Sequence, residues 1–223
     1  LAASERGISA VAWGRAPHLL QVKEARTDAE IITLLSEVSE VWVDAPLTRG
    51  EGPFRACDRA LHRCGISILP LTWPAMRKLS ERARQLSAAI PHIPWYETFP
   101  WAVYRNWGFR SKALPAVHAY LRHLGIPVTE LSVHACDAIA AWWIGWLKRH
   151  SQAYALTGPD GTIWVAHSLL TSSQAEQKVN SPFLGSLKSH PCSQSPASSD
   201  AGLYLCFYGG KLVMALQEMK CRG

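Results

Sequence analysis

A short apolar run that ends in an acid and a proline, residues 41–47 (Val-Trp-Val-Asp-Ala-Pro-Leu), most constrains what this chain can fold into. A continuous apolar run of this length is typical of a strand buried on both faces, as in a parallel sheet. Pro46 cannot donate a ladder hydrogen bond, so the strand should end before it and leave Asp44 at its carboxyl end. Open α/β sheets bind ligands at that edge. Asp44 is therefore either a functional acid or the cap of the following turn.

The segments around this strand predict an α/β fold. Residues 8–13 and 19–23 predict a hairpin, and Thr27-Asp28 begins a helix with acids in its first turn. A second strand stopped by a proline is predicted within residues 95–100, and a closing hairpin within 154–165. The remaining helical patterns cover residues 54–64, 75–89, 114–124 and 131–149. The last of these has Ser132 as its expected N-cap and is apolar on nearly every face from 139 to 147, which predicts deep burial.

Composition narrows the class of protein. The chain has 223 residues, of which 48% are hydrophobic and 18% charged, as in ordinary soluble proteins. The net charge of +6 mildly favours polyanionic partners. Six cysteines without a C-x-x-C pair predict free thiols in a reducing, cytoplasmic compartment. No apolar run reaches membrane-spanning length, so we expect no membrane association.

The composition changes after Ser168, which predicts three regions. Residues 1–167 form the expected folded domain, and residues 168–202 are a Ser-rich linker or disordered segment. Residues 203–223 are apolar again and of unknown role. They predict a hairpin or a short helix that docks on the core.

Three carboxylates occupy positions typical of a metal site. Asp44 and Glu97 end strands, and Asp137 lies early in the buried helix. Mg²⁺ prefers such oxygen ligands, and a pair of ions can stabilise both the attacking and the leaving oxygen of a phosphodiester. Spacing alone does not show that the three acids meet.

Several motifs together resemble the domain of unknown function 429 family, whose members are described as predicted nucleases with an RNase H-like fold. The resemblance covers roughly residues 1–166 and rests on motifs that occur in order, at residues 44–47, 55–59 with 63–67, 76 and 79, 96–100, and 134–138. It implies an RNase H-like mixed sheet flanked by helices, with a C-terminal extension foreign to the family. It also implies that Asp44, Glu97 and Asp137 hold Mg²⁺ or Mn²⁺, and that the substrate is DNA or RNA.

One departure from the family pattern concerns the first strand. The family opens on Gly-Ile-Asp followed by small residues, which residues 1–4 resemble. By this resemblance, we expect the sequence to begin just after the aspartate that bridges the metals in RNase H-like folds. We expect that residue to lie upstream in the full protein, because the other acids are intact. A degenerate copy is the alternative.

Other side chains add candidate roles. His134 lies one helical turn before Asp137, where it is either a catalytic group that positions a ligand or water, or a surface or capping residue. Arg55, Arg59 and Arg63 recur every four residues, which indicates either a phosphate-binding face or a solvated helix face. The tryptophans at 142, 143 and 146 are expected to pack in the core.

Two functions from different classes follow. The first is metal-dependent hydrolysis of nucleic acid, provided that the upstream aspartate is present. The second is a catalytically inactive module of the same fold that binds nucleic acid or a nucleotide. An ATPase-like activity is less favoured, because the chain has no Gly-rich phosphate loop.

Overall fold

The computed structural model describes residues 7–167 and, as backbone, residues 203–208 and 211–216. The predicted linker at 168–202 lies outside the described residues. The protein is mixed α/β. The strands are β1 (Ser9–Trp13), β2 (Gln21–Ala25), β3 (Val41–Val43), β4 (Trp95–Glu97), β5 (Ala153–Gly158), β6 (Gly161–Ala166), β7 (Leu203–Tyr208) and β8 (Lys211–Leu216). The helices are α1 (Asp28–Leu35), α2 (Ala56–Arg63), α3 (Pro74–Ala89), α4 (Pro100–Asn106), α5 (Leu114–His123) and α6 (Val133–Arg149).

Within the described residues, a six-stranded mixed sheet has the order β2-β1-β7-β8-β3-β4, and β5 and β6 form a separate hairpin. The predicted pairing of β1 with β2 is confirmed and antiparallel, and β3 pairs with β4 in parallel. Of the two structures predicted for the C-terminal apolar segment, the hairpin is the one observed. Its strands lie in the middle of the sheet, between β1 and β3.

Side-chain alternation sends successive strand residues to opposite layers of helices. In β3, Trp42 packs in the cluster formed with α4, α5 and α6, whereas Val41 and Val43 pack in the cluster formed with α1 and α3. All three side chains are fully buried. The predicted burial of this strand on both faces is therefore confirmed.

Helix α6 is the central helix of one layer, as its apolar pattern predicts. Trp142 is fully buried, and its Nε1 donates a hydrogen bond of 3.0 Å to the Gly14 carbonyl. Trp143 and Trp146 pack against the same cluster, so the prediction that these tryptophans belong to the core is confirmed. At the helix start, the Ser132 hydroxyl accepts a hydrogen bond of 3.2 Å from the Ala135 N–H.

Replacing Ser132 with alanine is expected to lower the free energy of unfolding by about 1 kcal/mol, because an N-terminal N–H of α6 loses its acceptor. Urea denaturation measures the change. Ser132→Thr keeps a capping hydroxyl and is the matched control. Equal stability of the two variants would contradict a capping role.

Several predicted boundaries differ from the structure. A short 3-10 turn at Pro17–Leu19 delays β2 to Gln21, and α2 begins at Ala56 rather than at 54. Helix α4 was not predicted. The sequence predicts Pro100 only as the residue that stops the preceding strand, but proline is also well suited to the first turn of a helix, and Pro100 begins α4. Directly after α2 and its C-cap residue, Gly65 has φ +73°, the left-handed conformation that favours glycine at the end of a helix. None of the described helices is both long enough and apolar enough to cross a membrane.

Candidate functional site

A cleft of about 530 Å³ opens at the carboxyl ends of β3 and β4. Asp44 directly follows β3, and Glu97 pairs with Val43 across the parallel register. Both carboxylates line the cleft and are nearly buried, with 7% and 6% of their surface exposed. The structure thus brings Asp44 and Glu97 together at the sheet edge at which the sequence placed them.

Arg55 is buried beside Glu97 and bridges two carboxylates. Its Nη1 donates to Glu97 Oε2 at 2.8 Å, and its Nη2 donates to Glu97 Oε1. Its Nε and Nη2 also donate to the two oxygens of Asp58, at 3.1 and 2.9 Å. The Leu47 N–H donates a further bond of 3.0 Å to Glu97 Oε2. Arg55, Asp58 and Glu97, which we call the buried triad, therefore form one connected network.

The electrostatics of the buried triad keep Arg55 charged. Burial alone lowers the pKa of Arg55, but Glu97 and Asp58 outweigh it and raise that pKa above its ordinary value. Burial raises the pKa of Glu97, and the Arg55 guanidinium and the Leu47 N–H oppose this rise. One cation between two carboxylates leaves the buried triad with one net negative charge when all three groups are ionised.

A second buried ion pair involves Asp137 on α6. Lys112 Nζ lies 2.7 Å from Asp137 Oδ1, and Asp137 is fully buried. Burial raises the pKa of Asp137, which Lys112 opposes. The other oxygen, Oδ2, is buried without a hydrogen-bond partner among the described residues. Lys112 lines the cleft, whereas Asp137 and the half-buried His134 are not among the described residues that line it.

In this arrangement the carboxylates do not form the ligand set of a two-metal site. Both oxygens of Glu97 accept hydrogen bonds from Arg55, and Asp137 is paired with Lys112. Across the part of the chain that the structure describes, no group of three or more His, Cys, Asp or Glu side chains is arranged to hold a metal ion. For Glu97 to coordinate Mg²⁺ or Mn²⁺, Arg55 would have to move away from it.

The structure separates the three arginines of the predicted phosphate-binding face. Arg55 is the N-cap residue of α2 and is 1% exposed, whereas Arg59 and Arg63 are exposed on the helix. Arg59 Nη1 donates to the Phe54 carbonyl at 2.6 Å. Arg55 thus contacts the carboxylates of the fold, and the other two face solvent.

The rest of the cleft is mostly apolar. Its apolar walls come from α3, from the segment before that helix, and from the start of α4. They are lined by Ile68, Leu69, Leu71, Met76, Leu79, Phe99 and Trp101. Leu69 is half exposed, at 50%. The lining of the cleft therefore combines charged groups, among them Asp44 and Lys112, with a mainly apolar surface.

Asp58 and Lys112 line the cleft but were not predicted as site residues from the sequence. Asp58 lies three residues after Arg55 at a helix start, and its Oδ2 accepts a bond of 2.8 Å from the Arg55 N–H. That spacing is the signal of a capping contact, from which the acid could have been found. Lys112 lies in an irregular segment before α5, where no periodic pattern marks it.

The turn between β5 and β6 fixes the start of α2 next to the cleft. Asp160 Oδ1 accepts a hydrogen bond of 2.9 Å from the Ala56 N–H. A Cβ at Gly158 would lie 2.4 Å from the Ala56 Cβ, so only glycine allows this close approach. The turn therefore helps to hold Arg55 in place.

The buried thiols are poor candidates for a nucleophile. Burial raises the pKa of Cys57 to about 12 and that of Cys136 to about 12. Both remain protonated near neutral pH, and it is the thiolate that reacts. Chemistry at this site would rest on the carboxylates and the basic groups.

The chain matches no family model, no curated protein and no solved structure.

Proposed function

We propose that the protein is a module that binds nucleic acid or a nucleotide through the cleft at the ends of β3 and β4. The observation that carries this proposal is the internal pairing of the acids: Arg55 binds Glu97 and Asp58, and Lys112 binds Asp137. Carboxylates paired in this way form a preorganised wall, and their oxygens are occupied by the basic groups rather than open to a metal ion. The RNase H-like form of the mixed α/β fold is part of the same proposal.

The chemistry of the cleft supports this class of ligand. Its volume of about 530 Å³ lies within the range of small-molecule sites, roughly 300–1,000 Å³. Phe99 and Trp101 offer aromatic surface for a base, and Lys112 brings an ammonium group to the lining. The net charge of +6 favours approach of a polyanion.

Fluorescence anisotropy with labelled oligonucleotides tests the proposal. We expect saturable binding that is unchanged by a chelator, with no turnover of DNA, RNA or nucleoside triphosphates in Mg²⁺ or Mn²⁺. Unlabelled mononucleotides added as competitors separate nucleotide binding from polymer binding. Absence of binding to every nucleic acid and nucleotide would overturn the proposal.

Metal-dependent phosphodiester hydrolysis is the second candidate, favoured by the adjacency of Asp44 and Glu97 at the ends of neighbouring parallel strands. In this case Asp44, Glu97 and Asp137 would be the residues to hold Mg²⁺ or Mn²⁺. Glu97 would first have to lose its contacts with Arg55, and Asp137 its contact with Lys112.

Cleavage by the wild type in Mg²⁺ or Mn²⁺, lost in Asp44→Asn, is the expected result if hydrolysis is the function. A form extended upstream belongs in the same assay. Arg122→Ala, which removes an exposed charge of α5 outside the cleft lining, is the matched control. Equal cleavage by Asp44→Asn and wild type would rule out Asp44 as a metal ligand.

A further inference from the structure

A second cavity, of about 360 Å³, lies beside the cleft and is lined by arginines. Arg49, Arg77 and Arg84 face it, together with the acids Glu51 and Glu81. Arg49 Nη2 donates to Glu81 Oε2 at 2.7 Å, and Arg84 pairs with the same oxygen. The hydrogen bond from Arg49 and the charge of Arg84 lower the pKa of Glu81. Glu81 therefore stays ionised and holds two guanidinium groups together; we call this cavity the arginine pocket.

The cleft and the arginine pocket adjoin each other. Leu71 lines both cavities, and α3 separates them. Met76 and Leu79 of that helix face the cleft, whereas Arg77 and Ser80 face the arginine pocket. Ser80 Oγ donates to the Pro46 carbonyl at 2.8 Å, which fixes α3 to the loop after Asp44. Leu71 is thus the residue at which the linings of the two cavities meet.

We propose that the two cavities form one track for single-stranded nucleic acid, with a base in the apolar cleft and a neighbouring phosphate in the arginine pocket. This inference rests on the proposed function and names its substrate class. Guanidinium groups match the geometry of phosphate oxygens, and Arg49 and Arg84 are already oriented by Glu81. The order apolar then basic along the track matches the alternation of base and phosphate along a strand.

The apolar surface of the cleft selects a single strand over a duplex. Phe99 and Trp101 line the cleft and offer rings on which the face of a base can stack, whereas a paired base in a duplex has both faces covered by its neighbours. A duplex would therefore leave this surface uncovered unless one of its bases unstacked, which costs free energy. Stacking on aromatic side chains accepts any base, so we expect little sequence preference.

Two variants test the two halves of the track by different readouts. Arg77→Ala removes an exposed arginine of the arginine pocket, and Leu69→Ala removes a half-exposed side chain of the cleft. Arg122→Ala is the matched control, because Arg122 is exposed on α5 and lines neither cavity. Trp101→Phe keeps an aromatic ring and checks the stacking contact without emptying the site. Circular dichroism confirms that each variant is folded.

Anisotropy with a short oligothymidylate is measured over a range of salt concentrations, with a blunt duplex as the second ligand. The slope of log affinity against log salt concentration is negative. It should become shallower by about 0.7 in Arg77→Ala and stay unchanged in Arg122→Ala. Leu69→Ala should weaken binding at constant slope. The single strand should bind roughly 5-fold or more tightly than the duplex, the value of at least one stacked base.

The outcomes separate this inference from the function on which it rests. Equal affinity for single strand and duplex, or an unchanged slope in Arg77→Ala, would overturn the track while leaving nucleic-acid binding in place. Absence of binding to both ligands would overturn the track and the proposed function together. Binding of the single strand together with its metal-dependent cleavage would support the track. It would also show that the protein is the hydrolase and not the catalytically inactive module.

Discussion

Replacing Arg55 with methionine is expected to lower the free energy of unfolding by about 3–5 kcal/mol. The guanidinium is 1% exposed and bridges Glu97 and Asp58, which are 6% and 1% exposed. Without it, two carboxylates remain buried next to each other, and one of them must take up a proton or unfold the site. Urea denaturation near neutral pH measures the loss.

Two controls separate the charge effect from the loss of packing. Adding Asp58→Asn and Glu97→Gln to Arg55→Met removes the unpaired charges, and we expect most of the lost stability to return. Arg49→Met breaks the exposed pair with Glu81 and should change stability little. If the triple variant is no more stable than Arg55→Met alone, the loss comes from packing and not from charge.

The positions of the two cleft acids could be predicted from the sequence because they depend on local rules. β3 ends at Val43 and β4 at Glu97, each three residues before a proline, and the two acids stand at those strand ends. Parallel pairing of β3 and β4 then brings Asp44 and Glu97 to the same edge. The burial of α6 could likewise be predicted from its apolar faces.

The role of Arg55 could not be predicted in this way, because its partner Glu97 lies 42 residues along the chain. Spacing of four residues suggested one helix face with Arg59, but Arg55 precedes α2 as its N-cap residue. An N-cap residue has extended backbone, so its side chain leaves the helix in another direction. Periodicity therefore grouped residues that the structure divides between a buried network and solvent.

The place of the C-terminal hairpin in the sheet also lies beyond local reasoning. The apolar runs at 203–208 and 211–216 and the glycines between them indicate strands. Nothing in them indicates that they pair between β1 and β3. Strand order is set by long-range pairing, which a single sequence does not encode locally.

Replacing Lys112 with methionine is the second change with a large expected effect, again about 3–5 kcal/mol near neutral pH. Lys112 is the salt-bridge partner of the fully buried Asp137. Burial raises the pKa of Asp137 above its ordinary value of 3.8, and Lys112 is the main group that opposes this rise. The variant should therefore raise the pKa of Asp137 further in the folded protein.

The expected loss depends on pH with a definite sign. A carboxyl whose pKa is higher in the folded than in the unfolded protein favours folding when protonated, and this contribution fades as pH rises through the folded pKa. The deficit in stability of Lys112→Met should therefore shrink as pH falls toward 3.8 and grow toward neutral pH.

Urea denaturation of Lys112→Met and of the wild type across this pH interval measures the deficit. Lys112→Met made in Asp137→Asn is the control: neither Asp137→Asn nor the double variant has this carboxyl, so the difference in stability between those two should not vary with pH through it. A deficit of Lys112→Met that is constant over the same interval would place the loss in packing against Tyr104, over whose ring the Lys112 ammonium lies at 5.0 Å, and not in the buried charge.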